Sequence, residues 1–302
     1  MKLMRYLSLA VLAALLGLGS AISSVGEGSL AQAQECTVTL RPGESIQAAI
    51  DQAQAGAVIC LQAGTWKENI RIAKSLTLRG VGQDGQGRWL TWVKGAQSGK
   101  PVLRLESDSR IEVVIEDLAV AEAKPFRSNE FCRARDPQWI CPDGIQVWSL
   151  VRATIRNVRI SNNAFVGLLL LGSAQATVAG TTISGNRFGI DMSSSAQAQI
   201  TTTWIFDNGF YGIEILDTAQ ATISHTTIES NGTRCANYIC NGITVFDKVR
   251  LEVRDSRIVR NTHWGVAAAL IKCGYSANAF TGQVMLVNNT IKDNRRGQVC
   301  LP

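Results

Sequence analysis

The sequence predicts an all-β fold: a single-stranded parallel β-helix of about nine coils, each of roughly 22–23 residues, with a short N-terminal capping helix. Three observations support this prediction. Related stretches that contain AQA begin at Gly172, Ser194 and Asp217. Short runs such as GIDM, GIEI and GITV alternate apolar and polar residues, as strands do. One asparagine recurs in each unit, with spacings of 23, 22, 23, 30 and 33 residues, at Asn163, Asn186, Asn208, Asn231, Asn261 and Asn294.

The repeat also predicts what each corner of a coil does. Equivalent residues of a parallel β-helix stack at about 4.8 Å, so the recurrent asparagines would form a hydrogen-bonded ladder. A second turn position is filled mostly by residues that tolerate turn geometry, namely Asn157, Gly180, Thr202, His225, Asp255 and Asn288. A leucine-rich repeat of similar length is excluded, because its recurrent leucines are absent.

The N-terminal segment 1–33 is typical of a secretory signal peptide. Lys2 and Arg5 precede a short apolar run, and small residues follow it. We expect cleavage after Ala33, with cleavage after Ala21 and a retained membrane anchor as alternatives. No later stretch is apolar for long enough to span a bilayer. The sequence therefore predicts a secreted or periplasmic protein.

The segment 34–302 is predicted to be one β-helix domain. Apolar residues at helical spacing, Ile46 and Ile50 among them, predict the capping helix near 44–54, where it would cover the exposed edge of the first coil. Irregular insertions interrupt the repeat near 124–142, 232–241 and 270–283.

Eight cysteines follow the predicted signal peptide. An even number of cysteines in an exported chain favours disulfides in an oxidising compartment. Eight cysteines allow about 105 pairings, and proximity along the chain favours Cys36 with Cys60, Cys132 with Cys141, Cys235 with Cys240, and Cys273 with Cys300. The spacing of the cysteines does not suggest a metal site, and no cofactor motif is present. The net charge of +6 is spread along the chain without a Lys/Arg run, so nucleic acid is not an expected partner.

The opening stretch SIQAAIDQAQAGAVICLQAGTWKENIRIAKSLTLRG and the Gly-Ile-x-Val and Ile-x-x-Asn units resemble right-handed parallel β-helix proteins of the pectin-lyase-like superfamily. The resemblance is closest to the NosD-like and carbohydrate-binding β-helix group. It implies right-handed coils and a polysaccharide that lies along one stacked strand face. Copper delivery, which the NosD resemblance raises, finds little support in the few methionines of the mature chain.

The glycine-initiated strands predict an outward column, and two acids are neighbours in it. The column contains Gln146, Leu169, Asp191, Glu214, Thr244 and Ala267. Stacked carboxyl groups split their pKa values, and a protonated acid beside a carboxylate suits glycosidic cleavage. Asp191 and Glu214 are therefore a hypothetical catalytic pair, with two solvated surface acids as the alternative.

Aromatic residues near this column are candidates for stacking on sugar rings. The next outward column holds Trp148 and Phe246, while Tyr211 and Trp264 directly precede strand glycines. With Gln146, these four form the predicted carbohydrate-binding set. Burial of Trp148 and Phe246 in a satellite core is the alternative, and it is favoured for the leucines of this column, Leu171 and Leu216. A further series, Phe165, Phe188 and Phe210, is expected to stack inside the β-helix.

Three functions fit the sequence. The first is polysaccharide binding along the long strand face. The second is a polysaccharide lyase, epimerase or glycoside hydrolase that uses Asp191 and Glu214. The third is a structural or accessory protein of the cell envelope. The pattern determines neither the sugar nor the oligomeric state.

Overall fold

The computed structural model describes residues 34–126, 132, 141–235 and 240–302. The predicted signal peptide and most of the predicted insertion at 124–142 lie outside these residues. Within them, Glu35–Pro302 forms one unit. No helix among the described residues is long and apolar enough to cross a membrane.

Short strands account for most of the regular structure, because the alternating apolar residues occur in runs of three to five. Helix α1 spans Ile46–Gln52, and a 3₁₀ helix spans Ile271–Cys273. The strands in the described residues are β1 (Val38–Leu40), β2 (Ala57–Leu61), β3 (Gly64–Lys67), β4 (Ile70–Ile72), β5 (Leu76–Arg79), β6 (Thr91–Lys94), β7 (Leu103–Leu105), β8 (Ile111–Ala121), β9 (Ile145–Trp148), β10 (Val151–Ser161), β11 (Val166–Leu171), β12 (Gln175–Ala179), β13 (Thr182–Ser184), β14 (Phe188–Met192), β15 (Gln197–Thr201), β16 (Trp204–Phe206), β17 (Ile213–Ile215), β18 (Gln220–Ser224), β19 (Thr227–Glu229), β20 (Ile243–Val245), β21 (Arg250–Arg254), β22 (Arg257–Val259), β23 (Trp264–Ala268), β24 (Gln283–Val287), β25 (Thr290–Lys292) and β26 (Gly297–Cys300).

Each coil pairs in parallel with the coils before and after it, which confirms the predicted parallel β-helix. A typical coil runs through β12, β13 and β14. The first two strands belong to a 17-stranded sheet, and the third belongs to a nine-stranded sheet in the order β26-β23-β20-β17-β14-β11-β9-β7-β4. The outer surface of this second sheet is called the nine-strand face below. Its nine strands agree with the predicted number of coils.

Two corners fix the shape of the coils. The predicted asparagine ladder is present: the amide Nδ2 of each asparagine from Asn163 to Asn261 donates to Oδ1 of the next one, at 2.9–3.1 Å. The predicted turn residues Asn157, Gly180, Thr202, His225, Asp255 and Asn288 all have positive φ angles, between 47° and 57°. The left-handed region suits Gly and Asn, which explains the composition of this corner.

The interior holds stacked aliphatic columns. Ile183, Ile205 and Ile228 are fully buried and pair in register along the stack. The strand glycines beside the ladder leave no room for a side chain, since a Cβ at Gly189 would lie 2.3 Å from the carbonyl oxygen of Gly212. Helix α1 lies inside the predicted range 44–54, and its Ile46 and Ile50 are buried in the same core.

Disulfides lie near both ends of the described coils. The structure joins the four pairs that proximity favoured: Cys36–Cys60, Cys132–Cys141, Cys235–Cys240 and Cys273–Cys300. The first joins the segment before β1 to β2, and the last joins the 3₁₀ helix to β26.

Candidate functional site

The nine-strand face carries a column of outward side chains, with two arginines at one end and two acids near its middle. Leu169, Asp191 and Glu214 are register neighbours, so the predicted vertical acid pair is present in the structure. The same register extends the column in the other direction, through Gln146 to Arg104 and Arg71. The sequence repeat did not reveal this extension, because the early coils lack the regular spacing.

A third carboxyl group lies beside the acid pair. Asp143 directly precedes the strand glycine of its coil and is fully buried, while Asp191 is 8% exposed and Glu214 is half-buried. Burial raises the pKa of Asp143 to about 7, and the charge of Asp191 also raises it. Hydrogen bonds from Gln146 Nε2 and the backbone N–H of Val166, both 2.7 Å, oppose this shift.

Two phenol groups border the acid pair. Burial raises the pKa of Tyr211 and of Tyr275, and the charge of Glu214 raises both further. The hydroxyl of Tyr275 accepts a hydrogen bond from Asn241 Nδ2 at 3.0 Å and lies 3.4 Å from Thr244 Oγ1. Both phenols are therefore neutral near pH 7, and they can donate a proton in a hydrogen bond.

A chain of hydrogen bonds connects Asp143 with Trp148. Gln146 donates to Asp143 through Nε2 and accepts from Trp148 Nε1 at 3.2 Å. Gln146 is fully buried and Trp148 is 9% exposed. The guanidinium of Arg104 lies 5.1 Å from the centroid of the Trp148 ring. Gln146 consequently positions its neighbours, and Trp148 offers only a small part of its surface to a ligand.

The other predicted contact residues occupy different surroundings. Tyr211 is half-buried and stacks on Phe188, with ring centroids 5.9 Å apart. Phe246 is half-buried and meets Tyr275 edge to face at 5.4 Å. Trp264 is held by its neighbours, since its Nε1 donates to the carbonyl oxygen of Cys273 at 3.1 Å. Of these residues, Tyr211 and Phe246 therefore lie closest to the acid pair and its phenols.

Contrary to the prediction from the sequence, the phenylalanine series does not lie inside the β-helix. The rings of Phe165, Phe188 and Phe210 do stack, with centroids 5.2 Å apart at each step. However, Phe165 and Phe188 pack with Val166, Leu169 and Leu171 in a cluster separate from the main core. The prediction of an internal column was wrong, because these residues turn outward at the corner after the ladder. The satellite core that was favoured for Leu171 and Leu216 includes Leu171 together with Trp148, whereas Leu216 is buried outside this cluster.

A cavity of about 650 Å³ lies at the basic end of the nine-strand face. Its lining residues include Arg71, Arg104, Glu106, Ser107, Asp108, Ser109 and Trp148. A larger groove of about 770 Å³ lies over the AQA strands of the other sheet. The groove is lined by Gln, Thr and Ala side chains together with Arg152, Arg250 and Glu252, whereas the clustered acids and phenols lie on the nine-strand face.

Sequence reasoning missed Asp143, Asn241 and Tyr275. Asp143 and Asn241 break a column that holds Val166, Phe188 and Tyr211 in the coils between them, and this break was a visible signal. Tyr275 comes from the insertion at 270–283, where no repeat indicates its neighbours. Among the described residues, no group of three or more His, Cys, Asp or Glu side chains is arranged to hold a metal ion.

Comparison with protein families agrees with this architecture. Residues 143–301, more than half of the chain, match the model described as right handed beta helix region. The chain belongs to this right-handed β-helix family. A comparison with curated proteins gave no match.

Solved structures resemble this β-helix protein in fold. An alginate lyase from Paenibacillus sp. str. FPU-7 has 14% identity and a TM-score of 0.61, over 88% of this chain and 99% of its own. A pectin methylesterase from Aspergillus niger has 12% identity and a TM-score of 0.52, over 84% and 85%. Pectin methylesterase PemA from Erwinia chrysanthemi has 10% identity and a TM-score of 0.51, over 88% and 93%. At these identities the likeness shows the fold alone, and the site must be argued from its own residues.

Proposed function

We propose that this protein is exported and that it binds a polysaccharide along the nine-strand face. The observation that carries the proposal is the row of outward side chains across successive coils, which brings Asp191 and Glu214 beside Tyr211 and has a cavity at its Arg71 and Arg104 end. A linear polymer can contact such a row in many coils at once. The solved structures with this fold include an alginate lyase and pectin methylesterases, whose names refer to polysaccharides. The four disulfides support export.

Glycan-array binding of the chain 34–302 tests the proposal. Phe246→Ala should weaken binding about fivefold, because an aromatic contact contributes about 1 kcal/mol. Gln199→Ala is the matched control, since it removes an exposed side chain from the AQA strand β15 and should bind as wild type does. Absence of binding to every glycan by the wild-type chain would contradict the proposal.

A second candidate function is cleavage or epimerisation of the bound polymer by Asp191 and Glu214. Adjacent coils lie about 4.8 Å apart, close to the separation of about 5–5.5 Å at which two carboxyl groups work as acid and nucleophile. Asp143 and the two phenols support this proposal, because they place a further carboxyl group and two neutral proton donors beside the pair. In a hydrolysis, the protonated carboxyl group would donate its proton to the glycosidic oxygen while the other carboxylate attacked the anomeric carbon. Water would then release the sugar.

Incubation with pectate, alginate and neutral glucans tests catalysis. Asp191→Asn and Glu214→Gln should each lower product formation by at least about a hundredfold, as the removal of an acid–base group does. Product formation at the wild-type rate in both variants would rule out this mechanism, although polysaccharide binding could still stand.

A further inference from the structure

The cavity beside Trp148 combines an aromatic ring with side chains that both donate and accept hydrogen bonds. Ser107 Oγ and Ser109 Oγ lie 3.3 Å apart, and Ser109 and Asp108 are exposed at the rim. Trp148 forms part of the wall, and its ring orientation is set by the hydrogen bond from Nε1 to Gln146. A wall of this composition suits a ring that has an apolar face and hydroxyl groups on its edge.

Arg104 has donor capacity that the protein does not use. Its Nε donates to Glu106 Oε2 at 2.5 Å, and its side chain is only 15% exposed. Its Nη1 is buried and has no hydrogen-bond partner among the described residues. Buried donors without a partner are uncommon and costly, and Arg104 lines the cavity, so its guanidinium has donor capacity that a ligand can use.

The charges around the cavity balance. Glu106 accepts hydrogen bonds from both Arg71 and Arg104, at 2.6 and 2.5 Å, and Asp108 adds a second negative charge. Burial opposes ionisation of Glu106, but the hydrogen bonds from these two arginines outweigh it and lower its pKa. The lining thus contains two cations and two anions, so it offers no net attraction to a charged ligand.

Further along the nine-strand face the charge is negative. Between β9 and β23, the outward column that contains Asp191 and Glu214 holds no lysine or arginine in the described residues. The nearby guanidinium of Arg187 lies over the rings of Phe188 and Phe210, at 5.7 and 5.2 Å from their centroids. A polymer with a carboxylate on every sugar would meet like charge at this position.

We propose that the cavity beside Trp148 is a sugar-ring subsite of the nine-strand face, and that it takes an uncharged pyranose residue of a neutral polysaccharide. This inference rests on the proposed polysaccharide binding and names the class of polymer. The sugar ring contacts the small exposed part of Trp148, and its hydroxyl groups bind Arg104, Asp108 and the two serines. The next sugars of the chain follow the column toward Asp191, which lies three coils from Arg104, a distance of about 14 Å.

Calorimetry with matched oligosaccharide pairs tests the inference. The probes are hexamers of α-1,4-galactose, β-1,4-glucose and β-1,4-mannose, each compared with the hexamer of the corresponding uronic acid. At least one neutral hexamer should bind, and its uronic acid counterpart should bind at least about tenfold more weakly. Tighter binding of a uronic acid hexamer than of its neutral counterpart would overturn the assignment of a neutral polymer.

Variants of the cavity test its role as a subsite. The double variant Ser107→Ala/Ser109→Ala should weaken neutral hexamer binding about tenfold, since two hydrogen bonds are lost. Trp148→Phe, which keeps an aromatic ring, should weaken it less, and Gln199→Ala should have no effect. The serines lie at the surface, so the double variant is expected to fold, and its thermal midpoint serves as a check.

The outcomes separate this inference from the proposed function. If neutral hexamers bind and both cavity variants bind like wild type, the subsite is overturned while polysaccharide binding stands. If no hexamer of either series binds and the glycan array is also negative, the proposed function fails and this inference fails with it.

Discussion

Each ladder asparagine satisfies several buried polar groups at once. Asn208 Oδ1 accepts from the backbone N–H and the amide Nδ2 of Asn186, both at 3.1 Å. Its own Nδ2 donates to the carbonyl oxygen of Ile183 and to Asn231 Oδ1. Because Asn208 is fully buried, water cannot replace these bonds after a substitution.

We therefore expect Asn208→Ala to lower the free energy of unfolding by about 3 kcal/mol. Urea denaturation followed by circular dichroism measures this change. The surface variant Gln199→Ala should change stability by less than about 0.5 kcal/mol. An Asn208→Ala protein as stable as wild type would show that the ladder contributes no net stability.

Asp143 predicts a dependence of stability on pH. Its pKa is raised from an ordinary value of 3.8 to about 7 in the folded protein. Between these two pH values, the folded state holds a proton that the unfolded state has already lost. The contribution of Asp143 to the free energy of unfolding therefore falls as the pH rises from about 4 to 7. Below pH 4 the contribution is fully present.

Asp143→Asn should flatten this part of the pH profile. Thermal or urea unfolding measured from pH 4 to pH 8 gives the test. The matched control is Asp84→Asn, which changes a half-buried turn aspartate whose pKa is lowered by backbone and side-chain hydrogen bonds from Arg88. Equal slopes for wild type and Asp143→Asn across the window would contradict a protonated Asp143.

At the scale of elements, helix α1 depends on a carboxylate from another coil. Ser45 Oγ accepts from the N–H of Ala48, as an N-cap residue does. Glu68 Oε2 accepts from the N–H groups of Ile46 and Gln47, at 3.0 and 3.1 Å. These bonds attach the first turn of the helix to the segment between β3 and β4.

Glu68→Ala should lower the free energy of unfolding by about 1–2 kcal/mol, because two helix N–H groups lose a charged acceptor. Hydrogen exchange of α1 and chemical denaturation measure the effect. Lys67→Ala removes the exposed neighbouring side chain and should leave both readouts unchanged. Unaltered exchange in Glu68→Ala would show that Ser45 alone holds the helix terminus.

The sequence predicts elements well where they repeat. In successive coils the same position meets the same surroundings, so one asparagine or one turn residue with positive φ predicts the rest of its column. The outward positions of Gln175, Gln197 and Gln220 and the register of Asp191 with Glu214 follow from the same periodicity.

The remaining features of the site could not be predicted from the repeat. Tyr275 reaches Thr244 and Asn241 from an insertion, where spacing gives no information about neighbours. The phenylalanine series shows another limit, since periodicity identifies residues that stack but does not indicate which side of a corner they occupy. The burial of Gln146 likewise follows from contacts with Asp143 and Trp148 rather than from its place in a strand.

At the scale of the whole molecule, the terminal coils have a neighbour on one side only, so they are the least stable part of a solenoid. The disulfide Cys273–Cys300 encloses a sequence separation of 27 residues and includes the last strand, β26. Among the described coils, it therefore restrains the end of the stack opposite helix α1.

The double variant Cys273→Ala/Cys300→Ala should lose about 3 kcal/mol of stability. Hydrogen exchange should accelerate first in β26 and β23, with the central coils still protected. The corresponding variant Cys36→Ala/Cys60→Ala should instead affect β1 and β2. Uniform acceleration throughout the chain in either variant would indicate that the coils unfold as one unit.

The regular stacking of the coils restricts the distances between side chains on the nine-strand face. Positions on the nine-strand face are separated by whole numbers of coils, so the distance from Arg104 to Asp191 can change only in steps of about 4.8 Å. A duplication or deletion of one 22-residue unit between them would alter this distance by one step and leave the contacts within each coil intact. The chain thus acts as a molecular ruler, in which the number of coils sets the reach between two fixed points.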